Sequence, residues 1–329
     1  MADNIAKLAN LMAACIGCRR CEKACPSFAH GGCDPYLEMQ GLDGNVGDCI
    51  GCGRCSEVCP STDPKQVMLH RKQEVKDIQV PAAFAEFGTV SKPAGEEWRG
   101  EVPDMLPGKD AYFMPGCIVE SRTPYLKYAG WKALEAVGVG SAELPRRSCC
   151  MYPVALRSMT DGQRDAYKYR VRDSAGGRPI VTLCAGCANE LERSGVAAPH
   201  IVTELAKHVE GIERLPGLDI GVALEPGCSA ERLREDFEAV VRATGAELAG
   251  NPSGCCGKSV PRISGELMAE RQVECAGADA IVVGCPNCFR FYDAAEGGIP
   301  VLHIAELVAL AAGDDSTQRF HALKITQKA

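Results

Sequence analysis

Apolar side chains recur at Ile5, Leu8, Leu11 and Met12, the three-and-four spacing of a helix with one buried stripe. That spacing predicts a short amphipathic helix over residues 3 to 14. From Ala111 the texture changes, and short apolar runs alternate with longer amphipathic stretches. The runs Ala111 to Met114, Ile180 to Leu183, Ile220 to Leu224 and Ala280 to Val283 read as buried strands. The stretches Thr123 to Val137, Asp161 to Asp173, Ala230 to Ala243 and Glu266 to Ala276 read as helices. This alternation predicts parallel sheets of βαβ type.

The alternation also repeats. Pro115-Gly116-Cys117 follows the first strand of one half and Pro226-Gly227-Cys228 that of the other. His200-Ile201-Val202-Thr203-Glu204-Leu205 closes the first half, and His303-Ile304-Ala305-Glu306-Leu307 stands at the same place in the second. Residues 88–110 are rich in Gly, Pro and charge, which predicts a linker or surface-crossing arm. The expected division is residues 1–87, a linker over 88–110, one αβ unit over 111–216 and a second over 217–329.

Composition changes this picture in one respect: 20 of the 329 residues are cysteine. Disulfide scaffolds of that richness are short and secreted, and this chain is neither short nor led by a basic start with an apolar run. Reduced, metal-bound thiolates in the cytoplasm are expected. No apolar run approaches the ~18 to 20 residues of a membrane span, and the most apolar tail, Ile299 to Ala312, is interrupted by His303 and Glu306. A net charge of −7 gives no basic footprint for nucleic acid.

Cys15-x-x-Cys18-x-x-Cys21-x-x-x-Cys25-Pro26 recurs as Cys49-x-x-Cys52-x-x-Cys55-x-x-x-Cys59-Pro60. This is the bacterial two-cluster ferredoxin run, in which three cysteines hold one [4Fe–4S] cube and the fourth closes the other. Cys15, Cys18, Cys21 and Cys59 are expected to hold one cube, and Cys25, Cys49, Cys52 and Cys55 the second. Gly17, Gly51 and Gly53 let the backbone turn tightly around the sulfides. Cys33 fits no pattern and reads as a structural thiol.

The carboxy-terminal halves carry Cys117, Cys149-Cys150 and Cys184-x-x-Cys187, then Cys228, Cys255-Cys256 and Cys285-x-x-Cys288. Adjacent cysteines cannot easily pair with each other. Thiolates are soft ligands that select iron–sulfur clusters or zinc, and five sulfurs exceed the four of a tetrahedral zinc site or an ordinary cube. A zinc site using four of the five in each half stays open as the alternative. Placing the cysteines on loops at strand ends brings three loops to one volume. Cys275 has no counterpart in the first half and reads as core.

These blocks resemble the cysteine-rich CCG domains of the heterodisulfide reductase B subunit, and the amino-terminal runs resemble the C subunit of the same enzyme; together they are similar to the fused, D-type arrangement. The resemblance implies an α/β protein in which a mainly helical two-cluster ferredoxin-like domain precedes two duplicated α/β CCG domains. It implies two cubane [4Fe–4S] clusters and two noncubane [4Fe–4S] clusters, one held by Cys117, Cys149, Cys150, Cys184 and Cys187 and one by Cys228, Cys255, Cys256, Cys285 and Cys288. The implied reaction is cleavage of the coenzyme M–coenzyme B disulfide. Met151 departs from the family pattern, standing where the motif has glycine. A second function of the same architecture is electron transfer within a flavin dehydrogenase that oxidises or reduces glycolate, glycerol phosphate, lactate or succinate/fumarate.

Gly254-Cys255-Cys256-Gly257-Lys258-Ser259 ends like a phosphate-binding loop but has Pro252 at the first required glycine. Lys258, Arg262, Arg146, Arg147 and Arg157 are candidate cations for an anionic disulfide, with a solvated surface role as the alternative for each. His200 and His303 read as structural. No Ser/His/Asp arrangement and no G-x-G-x-x-G fingerprint occurs, so no flavin or nicotinamide of its own is expected. Electrons are expected from a partner: a flavin-containing protein like the A subunit of heterodisulfide reductase, with hydrogenase or formate dehydrogenase behind it, or a membrane cytochrome.

Overall fold

The computed structural model describes residues 2–76, 86–89, 91–95, 97–145, 149–150, 161–258, 261–295 and 297–325. Helix α1 (Ala2–Ala13) forms where the apolar stripe predicts it and packs against α2 (Pro64–Lys76). Leu8, Leu11 and Met12 close over a small core of Met39, Val46, Val67 and Met68. Between these helices the chain makes only short helical turns. Two of them, Arg20–Lys23 and Arg54–Glu57, carry the buried Cys21 and Cys55. The second starts from Gly53, whose φ of 91° no side-chain-bearing residue adopts without strain.

The segment after this domain is an arm and not a free tether. Trp98 is buried in the main core, Val102 and Met105 pack against it, and the Ala94 N–H donates to Glu120 O at 2.8 Å.

The first half runs β1 (Ala111–Met114), α3 (Cys117–Arg122), α4 (Tyr125–Ala136), β2 (Ser141–Glu143), α5 (Asp161–Ser174), β3 (Ile180–Thr182), α6 (Ala185–Glu192) and α7 (Ile201–Ala206). The second runs β4 (Gly221–Glu225), α8 (Arg234–Ala243), β5 (Glu247–Gly250), α9 (Pro261–Glu274), β6 (Ala280–Val283), α10 (Pro286–Asp293), β7 (Val301–His303) and α11 (Ile304–Ala311). Their sheets have the orders β2-β1-β3 and β5-β4-β6-β7, parallel throughout. Thr182 makes a lone parallel bridge to His200, as Val283 pairs with His303 in the second sheet. The first sheet thus keeps one residue pair of a fourth strand.

Three strands go beyond the pattern of apolar runs. β2 and β5 are short edge strands, and β5 alternates exposed and half-buried positions, so neither has an apolar run to announce it. β7 passes directly into α11, and the two together read as one apolar tail. α9 begins at Pro261, ahead of the expected Glu266, because proline suits the first helical position. The expected helix from Thr123 begins at Tyr125, after Pro124.

One core spans both halves. All eight residues of α11 are buried; seven are apolar and the eighth, Glu306, is satisfied by the His303 N–H and the His321 ring, and the helix packs on α4 of the first half, bringing Leu307 and Leu310 into a cluster with Leu126 and Leu134. Burying each such leucine contributes roughly 1.5–3 kcal/mol. The carboxy-terminal segment straps this contact: Phe320 stacks on Tyr125 with centroids 4.9 Å apart, and the Tyr128 hydroxyl donates to Asp314 Oδ2 at 2.7 Å.

Candidate metal centres

The amino-terminal cysteines fall into two groups. Cys21 is surrounded by Cys15 and Cys59, and burial raises its thiol to about 11, with those neighbours adding to the effect. Cys25 is surrounded by Cys52 and Cys49, and Cys55 by Cys49, Cys52 and Cys25. The fourth cysteine of each run therefore stands among the first three of the other. Cys18 is exposed on the loop that also carries Cys15, just ahead of the helical turn with Cys21.

Backbone and side-chain donors already point at these sulfurs. The Gly51 N–H donates to Cys49 Sγ at 3.4 Å and Gln40 Nε2 to Cys15 Sγ at 3.3 Å. Cys33 belongs to no motif, yet its buried thiol contacts Cys49, and this contact outweighs burial, which raises the thiol, to lower Cys49 to about 7. No spacing rule could have found it, because Cys33 arrives from the insertion between the runs.

In the first half, Cys117 contacts Cys149, Cys150 contacts Cys149 and Cys187, and Cys184 contacts Cys187. In the second, Cys228 contacts Cys255, Cys256 contacts Cys255 and Cys288, and Cys285 contacts Cys288. The two patterns are the same. Some of these thiol contacts leave one partner easier to ionise: Cys184 is lowered by Cys187, Cys285 by Cys288, and Cys256 to about 6 by Cys255 and Cys288.

The local chain explains the convergence. β1 and β4 each end in Pro-Gly-Cys, and the glycines adopt φ of 91° at Gly116 and 90° at Gly227. A Cβ on Gly116 would stand 3.2 Å from Cys187 Sγ, and one on Gly227 3.3 Å from Cys288 Sγ. Both positions therefore cradle the sulfurs. Ten soft sulfurs in two equivalent cradles at strand ends fit an iron–sulfur group in each half. Among the described residues no three His, Cys, Asp or Glu stand in the geometry of a single-ion site; the grouping is one of sulfur-to-sulfur contact.

The sets are also arranged relative to one another. Cys52 of the amino-terminal domain is close enough to Cys228 to feel its charge, and Ile50, Cys52, Cys255, Ile263 and Leu267 share one apolar patch. Cys285 feels Cys184 across the two halves. His200 sits on that seam, its Nε2 lying 3.0 Å from Leu183 O and 2.9 Å from Gly284 O. Both carbonyls belong to residues immediately before a cysteine of a five-membered set.

Among the described residues, Lys258 is the candidate cation that faces sulfur: it is half-buried among Cys256, Cys288 and Cys285, and burial with Arg290 lowers its pKa. Arg262 is engaged elsewhere, donating to Asp48 Oδ2 at 2.8 Å and Gly31 O at 3.1 Å across the contact with the amino-terminal domain. Arg146, Arg147, Arg157 and Met151 lie outside the described residues. Cys275 is a buried thiol raised to about 12 by burial. Sequence reasoning missed the buried Glu225, which accepts a hydrogen bond from the Tyr292 hydroxyl. A signal exists in the repeat, since Glu225 stands where the first half has Met114.

Residues 8–77 match the family described as a 4Fe-4S dicluster domain, and residues 111–192 and 222–291 each match the cysteine-rich CCG domain. The chain is 30% identical over 263 residues to the B subunit of the ferredoxin/F420H2-dependent CoB-CoM heterodisulfide reductase of Methanosarcina acetivorans, covering 60% of this chain and 87% of that protein. It is 26% identical over 234 residues to the B subunit of the fumarate reductase (CoM/CoB) of Methanothermobacter marburgensis, covering 64% of this chain and 48% of that one. Against the C subunit of the anaerobic glycerol-3-phosphate dehydrogenase of Escherichia coli it is 26% identical over 210 residues, or 54% of this chain and 52% of the relative. Among the described residues no helix is long and apolar enough to cross a membrane.

Proposed function

The chain belongs to the family of heterodisulfide reductase B subunits, with a 4Fe-4S dicluster domain ahead of its two cysteine-rich domains, and on that premise we propose that it cleaves a small-molecule disulfide with electrons received one at a time. The substrate of first choice is the coenzyme M–coenzyme B heterodisulfide. The observation that carries this reading is the proximity of Cys184 and Cys285, one from each half.

In this reading Cys15, Cys18, Cys21 and Cys59, and Cys25, Cys49, Cys52 and Cys55, each hold a cubane, and each five-cysteine set holds a noncubane cluster. When bound, these groups supply one-electron transfer and soft iron sites for sulfur. The chain's own residues do the rest. The apolar patch around Ile50 and Cys255 excludes water between the amino-terminal domain and the second set. His200 holds the backbone before Cys184 and Cys285 in fixed register, so that a disulfide lying across the seam has one sulfur towards each half. Lys258 gives positive charge beside the second set, suited to carboxylate, sulfonate or phosphate on the substrate. The reaction consumes two electrons and two protons per disulfide and yields two thiols. The electrons come from a flavin-containing partner.

The decisive measurement is oxidation of reduced viologen by anaerobically purified protein, with and without the coenzyme M–coenzyme B heterodisulfide, beside a Cys256→Ala variant. Substrate-dependent turnover that the variant loses is the expected result. Iron-loaded protein without turnover would overturn disulfide cleavage and leave the second reading, electron transfer within a flavin-dependent dehydrogenase. The likeness to the glycerol-3-phosphate dehydrogenase component favours that alternative.

A further inference from the structure

Glu225 ends β4 three residues before Cys228, and none of it is exposed. One carboxylate oxygen accepts from the Tyr292 hydroxyl, the other has no hydrogen-bond partner, and no ion pair reaches it among the described residues. The charged and titratable groups around it are Arg271 and Glu274 on α9, Glu231 ahead of α8, Cys275, and on the sulfur side Cys256. Arg271 is already committed, donating to Ser253 O at 2.9 Å and pairing with Glu274. Tyr292 in turn feels Cys288 and Cys256.

The fold does not require this pair. Counting from the shared Pro-Gly-Cys and Cys-x-x-Cys motifs, Glu225 corresponds to Met114 and Tyr292 to Leu191. Met114 and Leu191 pack in one apolar cluster with Cys150 and Cys187 of the first set. The same two places thus hold two apolar side chains in one half and a buried acid with a phenol in the other. The half with the acid is also the one that meets Cys52 of the amino-terminal domain.

We propose that Glu225 and Tyr292 form a proton-binding site that takes up one proton when the iron–sulfur centre of the second cysteine set gains one electron. The proposal rests on an iron–sulfur centre being held there and not on the identity of the substrate. An electron added to a buried centre makes its surroundings more negative, and a neighbouring carboxylate in a medium of low dielectric opposes it. Protonation removes that opposition. In the step, a one-electron donor such as reduced viologen supplies the electron, solvent supplies the proton, and the carboxylate becomes a carboxylic acid. Reoxidation releases both. Tyr292 orients the carboxyl by donating its hydroxyl hydrogen. Burial, offset in part by the Tyr292 hydrogen bond and by Arg271, raises the carboxyl to about 7, which keeps both forms within reach.

The test is an anaerobic redox titration of the full-length holoprotein, followed by electron paramagnetic resonance from about pH 6 to about pH 9. The signal of the second set is identified by its loss in Cys228→Ala. Its midpoint is expected to fall by about 59 mV per pH unit where the carboxyl is ionised in the oxidised protein and protonated in the reduced one, one tenfold change in proton activity per electron. Glu225→Gln should flatten this dependence and remove a carboxyl band from reduced-minus-oxidised infrared spectra. Glu225→Met with Tyr292→Leu, which installs the first half's own pair, should flatten it too and guards against misfolding of the single variant. A midpoint independent of pH in the wild type, or a slope retained in both variants, would overturn the proposal. Protein purified without iron at the second set would overturn the reading beneath it.

Discussion

His200 of the first half donates from Nε2 to the carbonyl of Gly284 in the second, at 2.9 Å. Its Nδ1 accepts from the Val202 N–H at 3.3 Å, which leaves the ring proton on Nε2. That one N–H also faces Leu183 O at 3.0 Å. The backbone before Cys184 and the backbone before Cys285 are therefore tied to a single donor. His303 caps α11 as His200 caps α7, accepting from the Ala305 N–H at 3.3 Å. Its ring lies 6.0 Å from that of His200, with an Nε2 that finds no well-formed hydrogen bond among the described residues.

Replacing His200 by phenylalanine strips two buried carbonyls of their shared donor. Buried groups left unsatisfied cost about 1–3 kcal/mol, so the denaturant midpoint of anaerobic His200→Phe protein should fall accordingly. The magnetic interaction between the paramagnetic centres of the two halves should weaken with it. His303→Phe, which removes no well-formed bond of that kind, should cost less. Equal losses in the two variants would show that the bridge contributes nothing beyond packing.

The same ring gives a pH signature. Burial holds His200 down to about 4, against 6.5 for a free histidine. A depressed histidine means that the unfolded chain binds the proton first, so stability is lost as pH falls below about 6.5 and continues to fall towards 4. The destabilisation caused by His200→Phe should therefore be larger at neutral pH than near pH 5. Thermal unfolding of both proteins at the two pH values measures this, and an unchanged difference would mean that the ring titrates alike in both states.

Much of this was legible because cysteine chemistry is local in sequence. The runs from Cys15 and Cys49 carry their own cross-pairing, and β1 and β6 fall on Ala111 to Met114 and Ala280 to Val283, where the apolar runs put them. The repeat then places His200 opposite His303. Its consequence was not legible, since the Gly284 carbonyl joins a side chain 84 residues away. Cys33 escaped for the same reason, its partner Cys49 being set by tertiary packing. Of the expected cations, Lys258 is placed by its neighbour Cys256, whereas Arg262 is drawn to Asp48 of another domain.

Gly116 and Gly227 offer a way to empty one half at a time. Both combine a φ near 90° with a Cβ position 3.2–3.3 Å from a cysteine sulfur. An alanine there meets backbone strain of order 1–2 kcal/mol and crowds the sulfur it faces. Gly116→Ala should lower the iron bound by the first set and leave the second intact, and Gly227→Ala the reverse. Iron analysis with the paramagnetic signal of each half checks this; full iron in both variants would show that the cradles tolerate a methyl group.

Ile50 tests the entry point for electrons. It is buried with Cys255, Ile263 and Leu267 where the amino-terminal domain meets the second half. Ile50→Asp places an unpaired charge in that patch, at a cost of several kcal/mol to the contact. The amino-terminal sets should keep their iron, while reduction of the second set by viologen slows. Stopped-flow spectra of variant and wild type decide the matter, and unchanged rates would put the route elsewhere.

Glu225 also leaves a signature that needs no electron transfer. Its carboxyl is raised from 4.5 to about 7, chiefly by burial. Below 4.5 the acid is protonated in both folded and unfolded chains and contributes nothing to the difference. Between 4.5 and 7 the folded chain keeps a proton that the unfolded chain releases, so stability falls as pH rises through this window and stays low above it. At about 1.4 kcal/mol per unit of displacement, the loss is on the order of 3 kcal/mol. Glu225→Gln keeps the shape and the acceptor for Tyr292 but cannot ionise, so it should unfold at higher denaturant than the wild type at pH above about 8 and lose that advantage near pH 5. Two anaerobic denaturation curves at each pH suffice. A glutamine variant less stable at both would mean that the carboxylate is held charged in the folded protein by a partner such as Arg271.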